Sequence, residues 1–458
     1  MPISSSYLTA SETIALAAKD ELSILQLARD HIARFEQRDP AVRAWEHYDR
    51  ERILKEAARL DSLPKEKRGP LFGATLGVKD VMNTLDMPTT YGSKAYQGHR
   101  PGSDAPLVHV LRNAGVLILG KTVTTEFAST MDNVPTLNPY DASRTPGGSS
   151  SGSGAAVRDF QCQLALGTQT GGSMVRPASF NGIFCIKPTW NSISRDGIKV
   201  SSLILDTPGL YARSLTDLQL LLKVLNVHDD VPPPMLPKPL SDCRFAYVKT
   251  VVWDSEGQPS REVERAWAKS RQLLEEAGAH VEDLDLGQDF ENIVNGRHAD
   301  IMSWDAGLNF YNEYEDPVNR RHLAQMLVEK VEARSAISQK QYLHALDSIP
   351  ALRPRFDAIA EQYDAIVTPS VPGEAPQGTK TGTHIFNAMW TVLHVPCVNV
   401  PGFAGENGMP VGLTLVGPRF HDERLLTVSR SVAHVWLHAD ATELRPLPVP
   451  EGVKMLQI

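Results

Sequence analysis

Three short stretches of the chain carry side chains that could perform acyl-transfer chemistry together. Two are clusters of small residues, GGSSSGSG at Gly147–Gly154 and TGGS at Thr170–Ser173, and the third is GVKD at Gly77–Asp80. A serine hydroxyl becomes a nucleophile once a neighbouring base takes its proton, and glycine lets a ligand approach the backbone closely. The segment between the two clusters can form a helix and a strand, so we expect both clusters to fold onto one site.

Lys79 lies inside an apolar, strand-like segment, GPLFGATLGVKDV. An isolated lysine in such a place usually extends its amine to solvent. The functional interpretation is a buried, neutral Lys79 that accepts a proton. A free lysine has a pKa near ~10.4, so neutrality at pH 7 requires burial to lower it by roughly 3.4, or about 4–5 kcal/mol. Asp80 must then point away from the amine, because an adjacent carboxylate would keep it charged.

Two other motifs compete with this interpretation. Gly148–Gly152 reads G-S-S-S-G, which fits a nucleophile elbow with Ser150 as the nucleophile. An elbow needs an apolar strand before it, whereas NPYDASRTP predicts a loop, so this is the weaker alternative. Gly115–Thr122, GVLILGKT, matches a phosphate loop. We reject that match because Val-Leu-Ile-Leu favours a strand, whose N–H groups are committed to a sheet.

Apolar strands alternate with helices around these motifs. The pattern predicts helices over Ser11 to about Arg59, Arg261–Ala277 and Glu423–His438, and strands over Val116–Leu119, Arg244–Val252, Tyr363–Ser370 and Met409–Gly417. Such alternation is typical of α/β layers. We therefore expect an α/β fold with a central mixed, largely parallel β-sheet covered by helices on both faces.

The chain of 458 residues, 42% hydrophobic and 22% charged, has the composition of a soluble globular protein. We interpret it as a single domain, 1–458. Its segments are a helical N-terminal part at 1–60, a catalytic core at 61–228, a Pro-rich internal linker at 229–242, and a C-terminal part at 243–458. The last part is expected to complete the sheet and the substrate pocket.

Composition also argues against several classes of partner. The net charge of −8 disfavours a nucleic-acid partner, which usually needs a basic face. The start of the chain lacks the pattern of a secretory signal, and the uncharged stretch Ile385–Gly405 is interrupted by prolines. The four cysteines are scattered without a C-x-x-C pair. We expect no nucleic acid, no membrane, no metal and a cytoplasmic location.

Five motifs together resemble the amidase signature family, over about Leu22 to Val435. They read GPLFGATLGVKD, GKTVTTEFA, NPYDASRTPGGSSSGSGAAV, GTQTGGSMVRPASFNGI and MPVGLTLVGP. The resemblance implies three catalytic residues: Lys79, Ser149 following a cis peptide bond, and the nucleophile Ser173. The backbone N–H groups of Thr170, Gly171 and Gly172 can converge as an oxyanion hole beside that nucleophile.

The implied activity is hydrolysis of a small carboxamide or related C–N acyl bond through an acyl-enzyme, without a cofactor. Gln169 and Val123 depart from the commoner family pattern. Arg176 lies where malonamidase-like members have an arginine that resembles a clamp for a substrate carboxylate. Alternatively, Arg176 pairs with a protein carboxylate and braces the loop. Met131 is a candidate for the pocket wall.

Three functional interpretations follow from the resemblance. We expect a standalone amidase of the malonamidase-like subgroup, acting on a small-molecule amide and forming a homodimer. The first alternative is the amidase subunit of a tRNA-dependent amidotransferase, which works through partner chains. The second alternative is a non-catalytic scaffold of the same fold, which the presence of all three catalytic residue types disfavours.

Overall fold

The computed structural model describes residues 4–132, 134–234, 237–254 and 259–458. The strands are β1 Trp45–Tyr48, β2 Thr75–Lys79, β3 Leu117–Thr122, β4 Leu164–Gln169, β5 Phe184–Lys187, β6 Thr207–Ala212, β7 Arg244–Tyr247, β8 His280–Asp283, β9 Ala365–Pro369, β10 Cys397–Ala404 and β11 Pro410–Val416. Within the described residues these 11 strands form one sheet, in the order β1-β3-β2-β4-β6-β5-β10-β11-β9-β7-β8.

Helices connect these strands. They are α1 Ala10–Ala18, α2 Ile24–Val42, α3 Arg50–Asp61, α4 Pro106–Asn113, α5 Ser151–Arg158, α6 Val175–Asn181, α7 Leu215–Val224, α8 Arg261–Glu276, α9 Gln288–Asn292, α10 His298–Asn309, α11 Tyr311–Glu315, α12 Pro317–Arg320, α13 Gln325–Ala333, α14 Gln339–Ser348, α15 Leu352–Ala360, α16 Ala388–Val392 and α17 Asp422–Trp436. A π-helical turn, Ile293–Arg297, joins α9 to α10.

Alternate residues of the buried strands supply two hydrophobic cores, one on each face of the sheet. Leu164 and Leu166 of β4 pack in one core, together with side chains of α4, α7, α8 and α17. Ala165 between them packs in the other core, with side chains of α2, α3, α5 and α6. This is the period of two that a strand imposes, since successive side chains point to opposite faces. Helices therefore cover both faces of the sheet.

The prediction of a mixed sheet covered by helices is confirmed. Parallel pairing is confined to two groups, β3–β2–β4 and β9–β7–β8. The neighbouring pairs between these groups, and the pair β1–β3, are antiparallel. The parallel part of the sheet is thus smaller than the sequence indicated. The connection between two strands determines whether they run parallel or antiparallel, and the sequence pattern does not specify these connections in the middle of the sheet.

The N-terminal segment differs from its prediction in one respect. Residues 11–59 form α1, α2 and α3, but β1 interrupts them between α2 and α3 and pairs with β3. Trp45–Tyr48 is too short and too polar for its alternation to stand out in the sequence. The division of the chain into segments stays a prediction, and residues 235 and 236 of the predicted linker lie outside the described residues.

Candidate functional site

The candidate site lies where parallel strands end at the same edge of the sheet. Lys79 is the last residue of β2, and Thr168 is the next-to-last residue of the neighbouring parallel strand β4. Two helices begin at this edge: α5 follows Ser149 and Ser150, and α6 follows Ser173. The edge therefore collects the lysine and both serine clusters.

Lys79 is completely buried and makes three hydrogen bonds to hydroxyl groups. Its Nζ lies 2.7 Å from Ser149 Oγ, 2.9 Å from Ser150 Oγ and 2.8 Å from Thr168 Oγ1. Three hydroxyl partners suit a neutral amine, which can donate two hydrogen bonds and accept one on its lone pair. Among the described residues no carboxylate lies within ion-pair distance of this amine.

Burial holds the pKa of Lys79 well below its usual value. Two charges act through space as well, Asp206 raising the pKa and Arg176 lowering it. Asp80, the adjacent residue, points away from the amine: its Oδ1 lies 2.7 Å from Lys121 Nζ in a fully buried ion pair. Desolvation disfavours the ammonium, so the environment favours the neutral, proton-accepting form of Lys79.

Ser149 and Ser150 both contact this amine but differ in their surroundings. The peptide bond Gly148–Ser149 is cis, and Ser149 is 2% exposed. Ser150 is completely buried, and its hydroxyl also lies 3.3 Å from the carbonyl of Thr168. Residues 145–149 form no strand. The environment of Ser150 is therefore that of a buried supporting hydroxyl and lacks the strand of a nucleophile elbow.

Ser173 lies in a tight turn between β4 and α6. Gln169 fixes this turn, since its Oε1 accepts hydrogen bonds from the backbone N–H groups of Met174 and Val175, at 2.9 and 3.1 Å. Among the described residues the N–H groups of Gly171 and Gly172 have no acceptor, and the hydroxyl of Ser173 makes no hydrogen bond. These groups remain able to bind a substrate.

Side chains that the sequence did not single out support the turn. The Thr170 hydroxyl donates to Asp206 Oδ1 at 2.6 Å, and the Tyr211 hydroxyl donates to the carbonyl of Met174 at 2.9 Å. Asp206 also accepts from the backbone N–H groups that follow Val200, and its burial raises its pKa to about 6. A lone Asp or Thr beside a strand carries no local pattern that would have identified it.

Two histidine rings pack against the same turn. His298 Nε2 donates to the carbonyl of Thr170 at 3.1 Å. Its ring centroid lies 5.2 Å from that of His384, whose side chain also approaches Gly171 and Gly172 closely. Burial lowers the pKa of both histidines. The turn is therefore enclosed by neutral imidazoles, and a side chain at Gly171 would meet the His384 ring. A side chain at Gly172 would meet His384 Cβ and the Asn387 side chain.

Arg176 is a buried cation without an anionic partner among the described residues. It is 3% exposed, and its Nη2 donates to the carbonyl of Gly148 and, at 3.4 Å, to Thr381 Oγ1. Its Nε and Nη1 are buried and make no hydrogen bond. Burial lowers the pKa of Arg176 to about 10. The alternative in which Arg176 pairs with a protein carboxylate therefore finds no support.

Met131 lies at the rim of this region. Its side chain is 40% exposed, and its backbone carbonyl accepts a hydrogen bond from the N–H of Thr381 at 2.8 Å. Thr381 in turn contacts Arg176. Met131 is thus joined to the loop that contacts the unpaired guanidinium, while its contact with a substrate stays a prediction.

The geometry agrees with a comparison of the whole sequence with family models. The model described as Amidase matches residues 26–426. The chain belongs to the amidase signature family. It is therefore an enzyme that acts on amide carbon–nitrogen bonds, as the sequence predicted.

Individual amidase-family relatives resemble the chain over nearly its whole length. A glutamyl-tRNA(Gln) amidotransferase subunit of Streptomyces avermitilis is 33% identical over 93% of this chain and 94% of the relative. A solved amidase is 28% identical, with a TM-score of 0.84 over 93% of this chain and 99% of that one. The corresponding glutamyl-tRNA(Gln) amidotransferase subunit of Thermotoga maritima is 26% identical, with a TM-score of 0.79 over 98% of both chains.

These relatives overturn the predicted partners of this amidase. The expectation that the chain acts on a small-molecule amide alone, with no nucleic acid and at most a second copy of the chain, is wrong, because the relatives are named as subunits of an amidotransferase for glutamyl-tRNA(Gln). The exclusion of nucleic acid rested on the net charge of −8, and the standalone hydrolase on the placement of Arg176. The charge of one subunit does not determine which molecules an assembly binds. The relatives support the amidotransferase alternative better than the standalone hydrolase.

Clusters of metal ligands and membrane-spanning helices are both absent from the described part of the amidase. No three His, Cys, Asp or Glu side chains within it are grouped as metal ligands would be. None of the helices it contains is long and apolar enough to cross a membrane.

Proposed function

We propose that the chain is the amide-hydrolysing subunit of an amidotransferase, in which Ser173, Ser149 and Lys79 release ammonia from a donor amide that carries a carboxylate. Glutamine has these two groups. The observation that carries the proposal is the buried Lys79 amine, which is hydrogen-bonded to the Ser149 hydroxyl at 2.7 Å. Among the described residues no carboxylate lies beside this amine. Similarity to amidotransferase subunits over 93% of the chain supports the choice of assembly.

The reaction begins with proton transfer away from Ser173. Its hydroxyl attacks the amide carbonyl carbon while its proton passes through the Ser149 hydroxyl to the lone pair of Lys79. Burial favours the neutral amine before the reaction, and the proton held on Lys79 is then available for the leaving nitrogen. General acid–base catalysis of this kind contributes typically 10²–10⁴-fold.

The negative charge that develops on the carbonyl oxygen is stabilised by the turn before Ser173. The backbone N–H groups of Thr170, Gly171 and Gly172 serve as the oxyanion hole, and those of the two glycines are unused by other described residues. Loss of one such donor typically lowers the rate ~10²–10³-fold. Ammonia leaves with the proton from Lys79, and water then hydrolyses the acyl-enzyme by the reverse proton path.

Arg176 binds the carboxylate of the donor amide. Its Nε and Nη1 are buried and unpaired, and each belongs, together with Nη2, to one of the two forked edges by which a guanidinium binds a carboxylate. An unpaired buried charge is unfavourable, so binding of a substrate carboxylate is favoured because it supplies the counter-ion that Arg176 lacks in the free site. Met131 belongs to the wall of the same pocket.

The proposal is tested first on the chain alone. Ammonia release is measured from glutamine, asparagine, malonamate and acetamide, with wild type and the variants Ser173→Ala, Ser149→Ala and Lys79→Met. We expect Ser173→Ala to retain at most about 10⁻⁴ of the wild-type rate. Ser150→Ala is the matched control. Activity that survives Ser173→Ala but not Ser150→Ala would identify Ser150 as the nucleophile.

The assembly is tested by adding the other subunits of a related glutamyl-tRNA(Gln) amidotransferase and charged tRNA. We expect faster glutamine hydrolysis and formation of glutaminyl-tRNA with wild type, and neither with Ser173→Ala. Full activity of the chain alone, unchanged by the added subunits, would refute the assembly. Inactivity of wild type in both arms would instead support the non-catalytic scaffold.

The carboxylate requirement has its own test. Truncating one partner of a buried charge pair loses about 2–5 kcal/mol, so Arg176→Met should lower kcat/KM for glutamine and malonamate about 30-fold or more. Acetamide has no carboxylate, so its kcat/KM should change less than about 3-fold. Equal losses for all three amides would show that Arg176 only supports the loop.

A further inference from the structure

A second cavity lies away from the amide-hydrolysis site, at the opposite ends of the two helices that begin there. It has a volume of about 300 Å³ and lies beside Arg158, the last residue of α5, and Gly182, which follows α6. The C-terminal residues from Leu444 to Leu456 form much of its wall. The remaining wall includes Phe403 of β10. Most of the lining is therefore apolar.

Arg158 is a buried cation on this wall. It is 2% exposed, and only its Nη1 has acceptors, the carbonyls of Gly182 at 3.4 Å and Met455 at 3.3 Å. Its Nε is buried without a hydrogen-bond partner. Among the described residues no carboxylate lies within ion-pair distance of the guanidinium. The two carbonyls thus engage one nitrogen of Arg158 through long hydrogen bonds and leave the charge unpaired.

Other polar groups around the cavity also favour an anion. The Tyr140 hydroxyl is buried without a hydrogen-bond partner, and its ring centroid lies 5.0 Å from the centre of the Arg158 guanidinium. His438 and Arg445 complete the polar part of the lining, and Arg445 pairs with Asp141. None of the described residues that line the cavity is acidic. The lining thus combines an apolar surface with positive charge.

We propose that this cavity binds an organic anion with one carboxylate and an apolar body. The carboxylate would accept hydrogen bonds from Arg158 and the Tyr140 hydroxyl, and the body would contact the apolar wall around Phe403 and Leu447. Because a water molecule occupies about 30 Å³ in the liquid, 300 Å³ holds about ten groups of that size. A carboxylate with a chain of about eight carbons fits this volume.

Octanoate is the probe, and calorimetric titration of the full chain measures its binding. Acetate has the carboxylate without the apolar chain, and 1-octanol has the apolar chain without the carboxylate. We expect one octanoate per chain, binding at least 10-fold more tightly than either control. Failure of octanoate to bind at millimolar concentration, or equal binding of 1-octanol, would overturn the proposal.

Variants locate the bound probe. Arg158→Met should weaken octanoate binding at least 10-fold and leave 1-octanol unaffected, and Leu447→Trp should abolish binding by filling the cavity. Arg176→Met is the matched control, since Arg176 is also a buried, unpaired guanidinium, and it should leave octanoate binding unchanged. Binding that depends on Arg176 instead of Arg158 would refute the site. If Arg158→Met does not fold, Leu447→Trp carries the same test.

Discussion

The buried ion pair between Asp80 and Lys121 is expected to contribute strongly to stability. Its side chains are 1% and 0% exposed, and the carboxylate also accepts hydrogen bonds from the Thr90 N–H and hydroxyl, at 2.9 and 2.6 Å. Lys121→Met removes the cation, keeps most of the side-chain volume and leaves a buried carboxylate without its counter-ion. Breaking such a pair typically loses about 3–5 kcal/mol.

That loss converts into a measurable shift of the melting temperature. An unfolding entropy of about 2.1 cal/mol/K per residue, over 458 residues, gives about 1 kcal/mol/K. Lys121→Met should therefore lower the Tm by about 3–5 °C in scanning calorimetry. The double variant Asp80→Asn/Lys121→Met should recover at least half of this loss, because the amide carries no charge and retains its hydrogen bond acceptor.

Lys121→Met should also affect catalysis, because Asp80, which loses its counter-ion, follows Lys79 directly in the chain. An unneutralised carboxylate there would raise the pKa of the Lys79 amine and shift the acid limb of kcat/KM to higher pH. A Tm loss below 1 °C, or a double variant that loses as much as the two single variants together, would refute the assignment of Asp80 to Lys121 as a charge-neutralising pair.

Three further outcomes are expected. Asp206→Asn should shift the acid limb of kcat/KM to lower pH, because the charge of Asp206 raises the pKa of the buried amine. Burial lowers the pKa of His31 to about 3 from 6.5, so the contribution of His31 to folding stability, fully present above pH 6.5, should fall by about 1.4 kcal/mol per pH unit down to pH 3. Urea unfolding of His31→Gln and wild type at several pH values should give slopes that differ by this contribution. Gly152→Ala would press a methyl group into the backbone carbonyl of Ala44 and should lose about 1–3 kcal/mol or more, while Gly102→Ala, with open space around it, should melt as wild type.

Local sequence patterns predicted the strands and helices that have a clear apolar periodicity of their own. The strand predicted over Tyr363–Ser370 is β9, and the helix predicted over Glu423–His438 is α17, within one or two residues at each end. Both have an apolar periodicity that a buried strand or helix requires. The strand order could not be predicted, since the pairing of β5 with β10 joins residues more than 200 positions apart.

The candidate site likewise contains residues that the sequence identified and residues that it did not. Ser149 and Ser173 lie in glycine- and serine-rich clusters and Lys79 is a charged residue in an apolar segment, so the sequence alone draws attention to all three. The structure brings Lys79 and Ser149 into contact. Asp206 and Thr168 are single polar residues whose importance depends on the neighbours that folding supplies. Their roles follow from burial, and burial is a property of the whole fold.

The antiparallel pair β5–β10 makes the two halves of the chain depend on one another. β5 precedes the predicted linker and β10 follows it, and β10 covers the edge of β5 at Cys185–Lys187. A fragment ending near residue 228 would expose that edge as a row of unpaired backbone groups, which is a template for aggregation. Separate expression of the halves should therefore yield insoluble material, and co-expression should restore the native protein.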